Sequence, residues 1–131
     1  MNARAPLPWT DANQQLLAAE FARLRARLEK PGEPPPRQDA QQLAQARAAL
    51  DGDGAADQLS AAFGLSAFER DLLLLCAGVE MDAGLADLCA QAQGRGGGLR
   101  HASFSLALGA LDGAHWSALS PQRPLRRWRL L

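Results

Sequence analysis

Two cysteines and two histidines are the residues of this chain best suited to hold a metal or to serve as nucleophile and base: Cys76, Cys89, His101 and His115. Structural zinc prefers close C-x-x-C or H-x-x-x-H pairs that preorganise the site, and none of the four lies in such a pair. Both cysteines fall on apolar helical faces, where a free thiol behaves as a small hydrophobe. Nucleophilic catalysis needs a Ser, Cys or Thr beside a base that a third group orients, yet the chain has no G-x-S-x-G and only two isolated histidines. Asp51-Gly52-Asp53-Gly54 opens like a calcium loop but places Ala55, Ala56 and Ala62 where that loop needs an oxygen ligand, a glycine and a glutamate. The glycine-rich run at 94–98 has exposed amides for an anion, but no G-x-x-x-x-G-K-[ST], no preceding strand, and no lysine near it, the chain's only one being Lys30. Glu69 stands three residues after Ser66, which is capping-box spacing and accounts for it without acid–base chemistry. On this reading the chain is not an enzyme and holds no catalytic, cofactor or metal residue.

What remains is a concentration of charge. Residues 1–119 hold ten basic and fourteen acidic groups, whereas residues 120–131 hold four arginines and no acid. Arg123, Arg126, Arg127 and Arg129, interleaved with Trp128 and preceded by Trp116, form the candidate interaction surface, together with the first helix. A set of arginines and aromatics suits either phosphates or a protein surface. The plain structural alternative is that these arginines pair with the acidic body or with a neighbouring strand.

The elements that must position this surface read as helical. The chain holds 47% hydrophobic residues, no tyrosine, and Thr10 and Val79 as its only β-branched residues, against an abundance of Ala, Leu, Arg and Gln. Helix one opens at Thr10 with the stripe Leu17, Phe21, Leu24 and Leu28, its charged residues lie on the remaining surface, and Pro31-Gly32 ends it. The proline-rich spacer at 31–37 leads to a thin-striped second helix from Asp39 to Leu50, carrying Leu43, Ala46 and Leu50. Gly52 ends that helix and Asp53 caps a third with Leu59, Ala62 and Phe63, which closes at Gly64-Leu65.

The central helix starts at Ser66 and runs through Leu72 to Val79, where Cys76 is the only side chain that is not purely apolar, so it is expected to be buried on every side. Asp82 caps a fifth helix with Leu85, Leu88, Cys89 and Ala92 inward. A sixth begins near Ala102 or Ser103 with Phe104, Ala107, Leu108 and Leu111 inward, and Asp112-Gly113 closes it. Residues 125–131 alternate arginine with apolar residues between prolines and the chain end, which predicts a strand.

Helix, helix, helix, strand is the order of a winged helix, a relative of the helix-turn-helix. The fold expected is all-α, one compact unit over 1–131. Its N-terminal helices span 10–51, and its winged-helix-like part spans 54–131 with a short, incomplete β wing. The sixth helix carries Ser103 and Ser105 but no Arg, Asn, Gln or Lys, so base readout in DNA is disfavoured.

The run LSAFERDLLLLCAGVEMDAGLADLCAQ, continued by SFSLALGAL and by HWSALSPQRPLRRWRLL at 115–131, resembles the winged-helix region that precedes the ATPase core in a group of bacterial AAA-family ATPases, some associated with contractile injection systems. AAEFARLRARLE is similar to that family's N-terminal helix. The resemblance implies a binding or assembly module attached to a hexameric motor, with the motor's own core or a client as protein partner. It implies ATP and magnesium only for a downstream domain, none of whose motifs occurs in this chain. The apolar ending Leu130-Leu131 leads to the expectation that the chain continues. No secretory signal or membrane-length run is present, so the expected location is the cytoplasm. The alternative function is a nucleic-acid-binding winged helix that uses the C-terminal arginines.

Overall fold

A computed structural model describes residues 7–93 and 102–131. Prolines set the first two helices. Pro8 stands at the N-cap of α1 (Trp9–Glu29) and Pro36 at that of α2 (Arg37–Ala49), so both open ahead of Thr10 and Asp39, the expected starts. A proline just before the first turn supplies the extended backbone that a cap requires without any side-chain hydrogen bond. Side chains cap the later helices. In α4 (Ala67–Met81), Ser66 Oγ accepts from Glu69 N while Glu69 Oε1 accepts from Ser66 N, a complete capping box. Asp82 accepts from Leu85 N to open α5 (Ala83–Ala92), and Ser103 accepts from Leu106 N to open α6 (Phe104–Ala110).

The cap of α3 (Ala55–Phe63) is not local. Gly54, and not Asp53, holds the N-cap position, and the first amide of the helix, Ala55 N, donates to Asn13 Oδ1 of α1 at 2.9 Å. The C-terminal end follows the local signal: Gly64 is left-handed at φ 66° and Leu65 N donates to Ser60 O, the Schellman closure.

The predicted terminal strand is absent; the described residues contain no strand at all. A 3-10 turn (Trp116–Leu119) leads to a short α7 (Pro124–Arg127), in which Pro124 occupies the first helical position, where its missing amide costs nothing. The turn closes on itself: Arg129 N donates to Arg126 O, Leu130 N donates to Leu125 O, and Arg129 takes a left-handed φ of 52°. This is a Schellman motif with arginine in the usual glycine position, and it brings Leu130 back toward buried Leu125. Proline before an alternating arginine–leucine run served here to start a helical turn.

The core has two parts. In the larger, Phe21, Leu24 and Leu28 of α1 meet Phe68, Leu72 and Leu75 of α4, Leu85 and Cys89 of α5, Ala107 and Leu111 of the α6 region, and Leu125 of α7. Each fully buried leucine contributes about 1.5–3 kcal/mol relative to an exposed one. The smaller part joins Ala12, Leu16 and Ala19 of α1 to Ala46 and Leu50 of α2. The helices α1, α4 and α5 meet closely at Gly78, where a Cβ would come within 2.5 Å of Leu85 Cδ2 and 3.0 Å of Phe21 Cδ1. The expected burial of the central helix on every side holds only in part. Leu72, Leu74 and Leu75 are buried, but Leu73 is half-buried and Ala77 exposed, because α3 covers that side incompletely.

A polar network crosses this framework. Arg23 of α1 donates to both oxygens of Asp71 on α4, at 3.1 and 2.6 Å, and to Glu20 at 3.1 Å. Burial works against its charge, but Asp71 and Glu20 outweigh it and hold the guanidinium above its ordinary pKa. Arg70 sits 2.5 Å from the buried Glu20 Oε2, out of hydrogen-bond alignment and thus paired mainly by charge, and it donates to Asp57 of α3 at 3.0 Å. Arg47 of α2 completes the set with Asp57 at 3.3 Å. Glu20 and Arg23 therefore belong to the interior junction of four helices and not to the solvated face expected of them. Asp71→Asn, which leaves Arg23 without its bidentate partner, is expected to cost about 2–4 kcal/mol, read as a lower midpoint in urea unfolding at neutral pH. A loss below ~0.5 kcal/mol, the size of an ordinary surface substitution, would show that the network is peripheral.

Candidate functional site

The six candidate residues fall into three structural settings. Arg123 is turned inward. It is the N-cap residue of α7, and its Nε donates to Glu69 Oε2 at 3.2 Å while its Nη2 makes a close contact with Glu69 Oε1. Glu69 is wholly buried and also receives Ser66 N at 2.9 Å, so one carboxylate closes the capping box of α4 and fastens α7 to it. Burial pushes that carboxyl up, but the hydrogen bonds from Arg123 and Ser66 outweigh it and hold it below its ordinary value. Arg123 is thus a structural arginine.

Arg126, Arg127, Trp128 and Arg129 are brought together on the closing turn of α7, all exposed. Arg126 Nη1 donates to Leu119 O at 3.0 Å, tying α7 to the 3-10 turn. The Arg127 guanidinium lies over the Trp128 ring, 5.3 Å from its centroid, and Trp128 in turn packs on Phe63 of α3 at 5.7 Å. Among the described residues none of Arg126, Arg127 and Arg129 is paired with a carboxylate, although every acidic residue of the chain is described. The expectation that the tail arginines pair with the acidic body holds for Arg123 alone.

Trp116 forms the third setting. It is 77% exposed and touches Phe104 edge-on at 6.1 Å, the outermost ring of a chain that continues from Phe104 to Phe68 at 6.0 Å. His115 packs on Phe68 at 5.3 Å and lies 2.8 Å from both Ser66 Oγ and Ser117 Oγ, which fixes the 3-10 turn to the start of α4. No ring contact joins Trp116 to Trp128 among the described residues. The first helix, expected to share the surface, is mostly scaffold: its apolar residues line both core clusters and leave Gln14, Gln15 and Ala18 exposed.

Cys89 is buried and Cys76 half-buried; burial pushes both thiols up, away from the thiolate that nucleophiles and metal ligands require. Among the described residues no group of three or more His, Cys, Asp or Glu is placed to hold a metal ion. His101 and the glycine run at 94–98 lie outside the described residues. No described helix is long and apolar enough to cross a membrane.

A family model described as a winged helix domain, variant, matches residues 9–131. The chain belongs to that family. No curated protein and no solved structure matches it. Winged helix domains commonly bind DNA or proteins, and in this one Arg126, Arg127 and Arg129 stand exposed at the closing turn of α7 with no carboxylate partner among the described residues. Neither Glu69–Arg123 nor the Arg23 network was accessible to sequence reading, because both pairs form across about fifty residues of intervening chain.

The pH dependence of the winged helix domain follows from Glu69. Its folded pKa lies below the unfolded value of about 4.5, so its stabilisation is complete above that pH and is lost as pH falls through the folded value. Arg123→Gln removes the largest single cause of that depression. It is expected to move the acid-unfolding midpoint, followed by circular dichroism, to higher pH, whereas an unchanged midpoint would detach Glu69 from acid stability.

Proposed function

We propose that this winged helix domain is a non-catalytic binding and assembly module of an AAA-family ATPase, engaging the motor's own core or a client protein through the α7 turn. The observation that carries the reading is the trio Arg126, Arg127 and Arg129. Among the described residues these guanidiniums have no carboxylate partner, and they flank the half-exposed Trp128, the combination of arginine and aromatic that protein interfaces favour. The resemblance of residues 60–131 to the region ahead of AAA motors supplies the context, and ATP with magnesium would belong to that motor. The full-length protein would then be a cytoplasmic oligomer.

A nucleic-acid role has less support. The α6 helix is seven residues long, and its exposed positions are Ser105 and Gly109, neither of which reaches base edges as Arg, Asn or Gln would. Phosphate contacts from the α7 arginines would remain.

The test is calorimetric titration of the chain into the isolated ATPase core of the protein that contains it. The triple variant Arg126→Glu, Arg127→Glu, Arg129→Glu is expected to bind at least about tenfold more weakly while still melting cooperatively, at a temperature lowered only by the loss of the Arg126–Leu119 hydrogen bond and the Arg127–Trp128 stack, since Arg123 is left in place. Unchanged affinity in the triple variant would sink the assignment to α7. Absence of core binding together with duplex affinity that falls linearly with log salt would move the function to nucleic acid.

A further inference from the structure

We propose that the groove between α3 and α4 is the seat for an amphipathic helix of a protein partner, whose acidic end lies over the α7 arginines; the inference rests on the protein-binding reading above. The groove is about 290 Å3 and is lined by Ala56 and Leu59 of α3 and by Leu73 and Ala77 of α4. These are apolar positions that the fold leaves partly uncovered. No residue of α3 is fully buried, although Ala56, Leu59 and Phe63 recur at helical spacing on one side of it. On the α4 side, Leu73 and Ala77 line it, two of the residues of the Leu72–Val79 run left accessible.

The charge around the groove selects its occupant. Gly64, Leu65 and Ser66 join α3 to α4, and Phe63 at that end packs on Trp128, so the apolar strip continues onto α7. There it meets Arg126, Arg127 and Arg129, which lack carboxylate partners among the described residues. At its side, Arg70 is already committed to Glu20 and Asp57. A helix with leucines at i, i+3, i+4 and i+7 fits the apolar strip, and acids at its C-terminal end, where its own dipole is also negative, would meet the free guanidiniums. A second copy of this chain is a poorer fit, since its basic end would face the same arginines.

The probe is a synthetic helical peptide with leucines at that spacing and three glutamates after the last leucine, titrated into the isotope-labelled chain and followed by NMR. Saturable shifts confined to residues near Leu59, Phe63, Leu73 and Trp128 are expected. Replacing the three glutamates by glutamine should weaken binding by about tenfold at low salt. The half-buried pair Leu59→Gln and Leu73→Gln should weaken it by a similar factor, about tenfold, with the melting curve as the check on folding. The glutamine peptide needs no altered protein, so it keeps the proposal open to refutation even where the double variant folds poorly.

Shifts centred on Trp116 and α6, equal affinity for the two peptides, or self-association of the chain that Leu73→Gln abolishes would each overturn the proposal. A chain that binds its ATPase core but not the peptide would refute the groove and leave the module reading standing. A chain that binds the peptide through the groove but not the core would do the reverse.

Discussion

The carboxylate of Glu69 joins the start of α4 to the start of α7. It is wholly buried, caps α4 through Ser66 N, and takes two donors from Arg123, 54 residues away. A buried carboxylate with fewer partners would cost several kcal/mol, so the start of α4 and the start of α7 depend on each other. Since Pro124 follows directly, fixing Arg123 also fixes where the last helical turn begins. Leu125 then enters the core, and the three remaining arginines are left outside.

That arrangement gives the uneven charge of the sequence a different meaning. Part of the acid of the body is engaged internally, Glu20, Asp57 and Asp71 by Arg23, Arg47 and Arg70, Asp82 by Arg25 and Asp112 by Arg27, while Asp11, Glu29, Glu33, Asp51 and Glu80 stay exposed. At the junction of its helices the body pairs the charges it buries, Glu20 and Asp71. The tail does not do the same: Glu69 takes Arg123, and among the described residues no carboxylate pairs with Arg126, Arg127 or Arg129. Their positive charge is therefore available to a partner without first breaking an internal pair, a contact that would otherwise offset much of what the new one gained.

Most of the helices were legible in the sequence because their signals act within four residues. The capping box of Ser66 and Glu69, the caps at Asp82 and Ser103, the Gly64-Leu65 stop, and the stripe of Phe21, Leu24 and Leu28 each need only their neighbours to be interpreted. What escaped reading acts at a distance. Asn13 caps a helix 42 positions on, Arg23 finds Asp71 at 48, and Gly78 matters only because α1 and α5 approach it together. The candidate surface was legible as composition, but its division was not: nothing local distinguishes Arg123, which is structural, from Arg126, which is exposed. The terminal strand failed because Pro-Leu-Arg-Arg serves two local grammars. Proline before alternating residues suits a strand edge, and proline at the first helical position suits a turn; burial of Leu125 with return of Leu130 favours the turn.

The turn also decides how a partner would be met. A terminal strand would offer a row of free backbone amides and carbonyls, and recognition would then proceed by adding a strand to its edge, with little dependence on the arginines. In the observed closure, the amides of Trp128, Arg129 and Leu130 are all used internally, by Pro124, Arg126 and Leu125 in turn. With that backbone satisfied, what α7 presents is side chain: guanidinium groups, one of them stacked on Trp128, and the ring itself. Recognition built on side chains is selective for charge and shape and indifferent to the partner's backbone direction. It suits an already folded helix more than an extended segment, and the half-covered faces of α3 and α4 lie beside it.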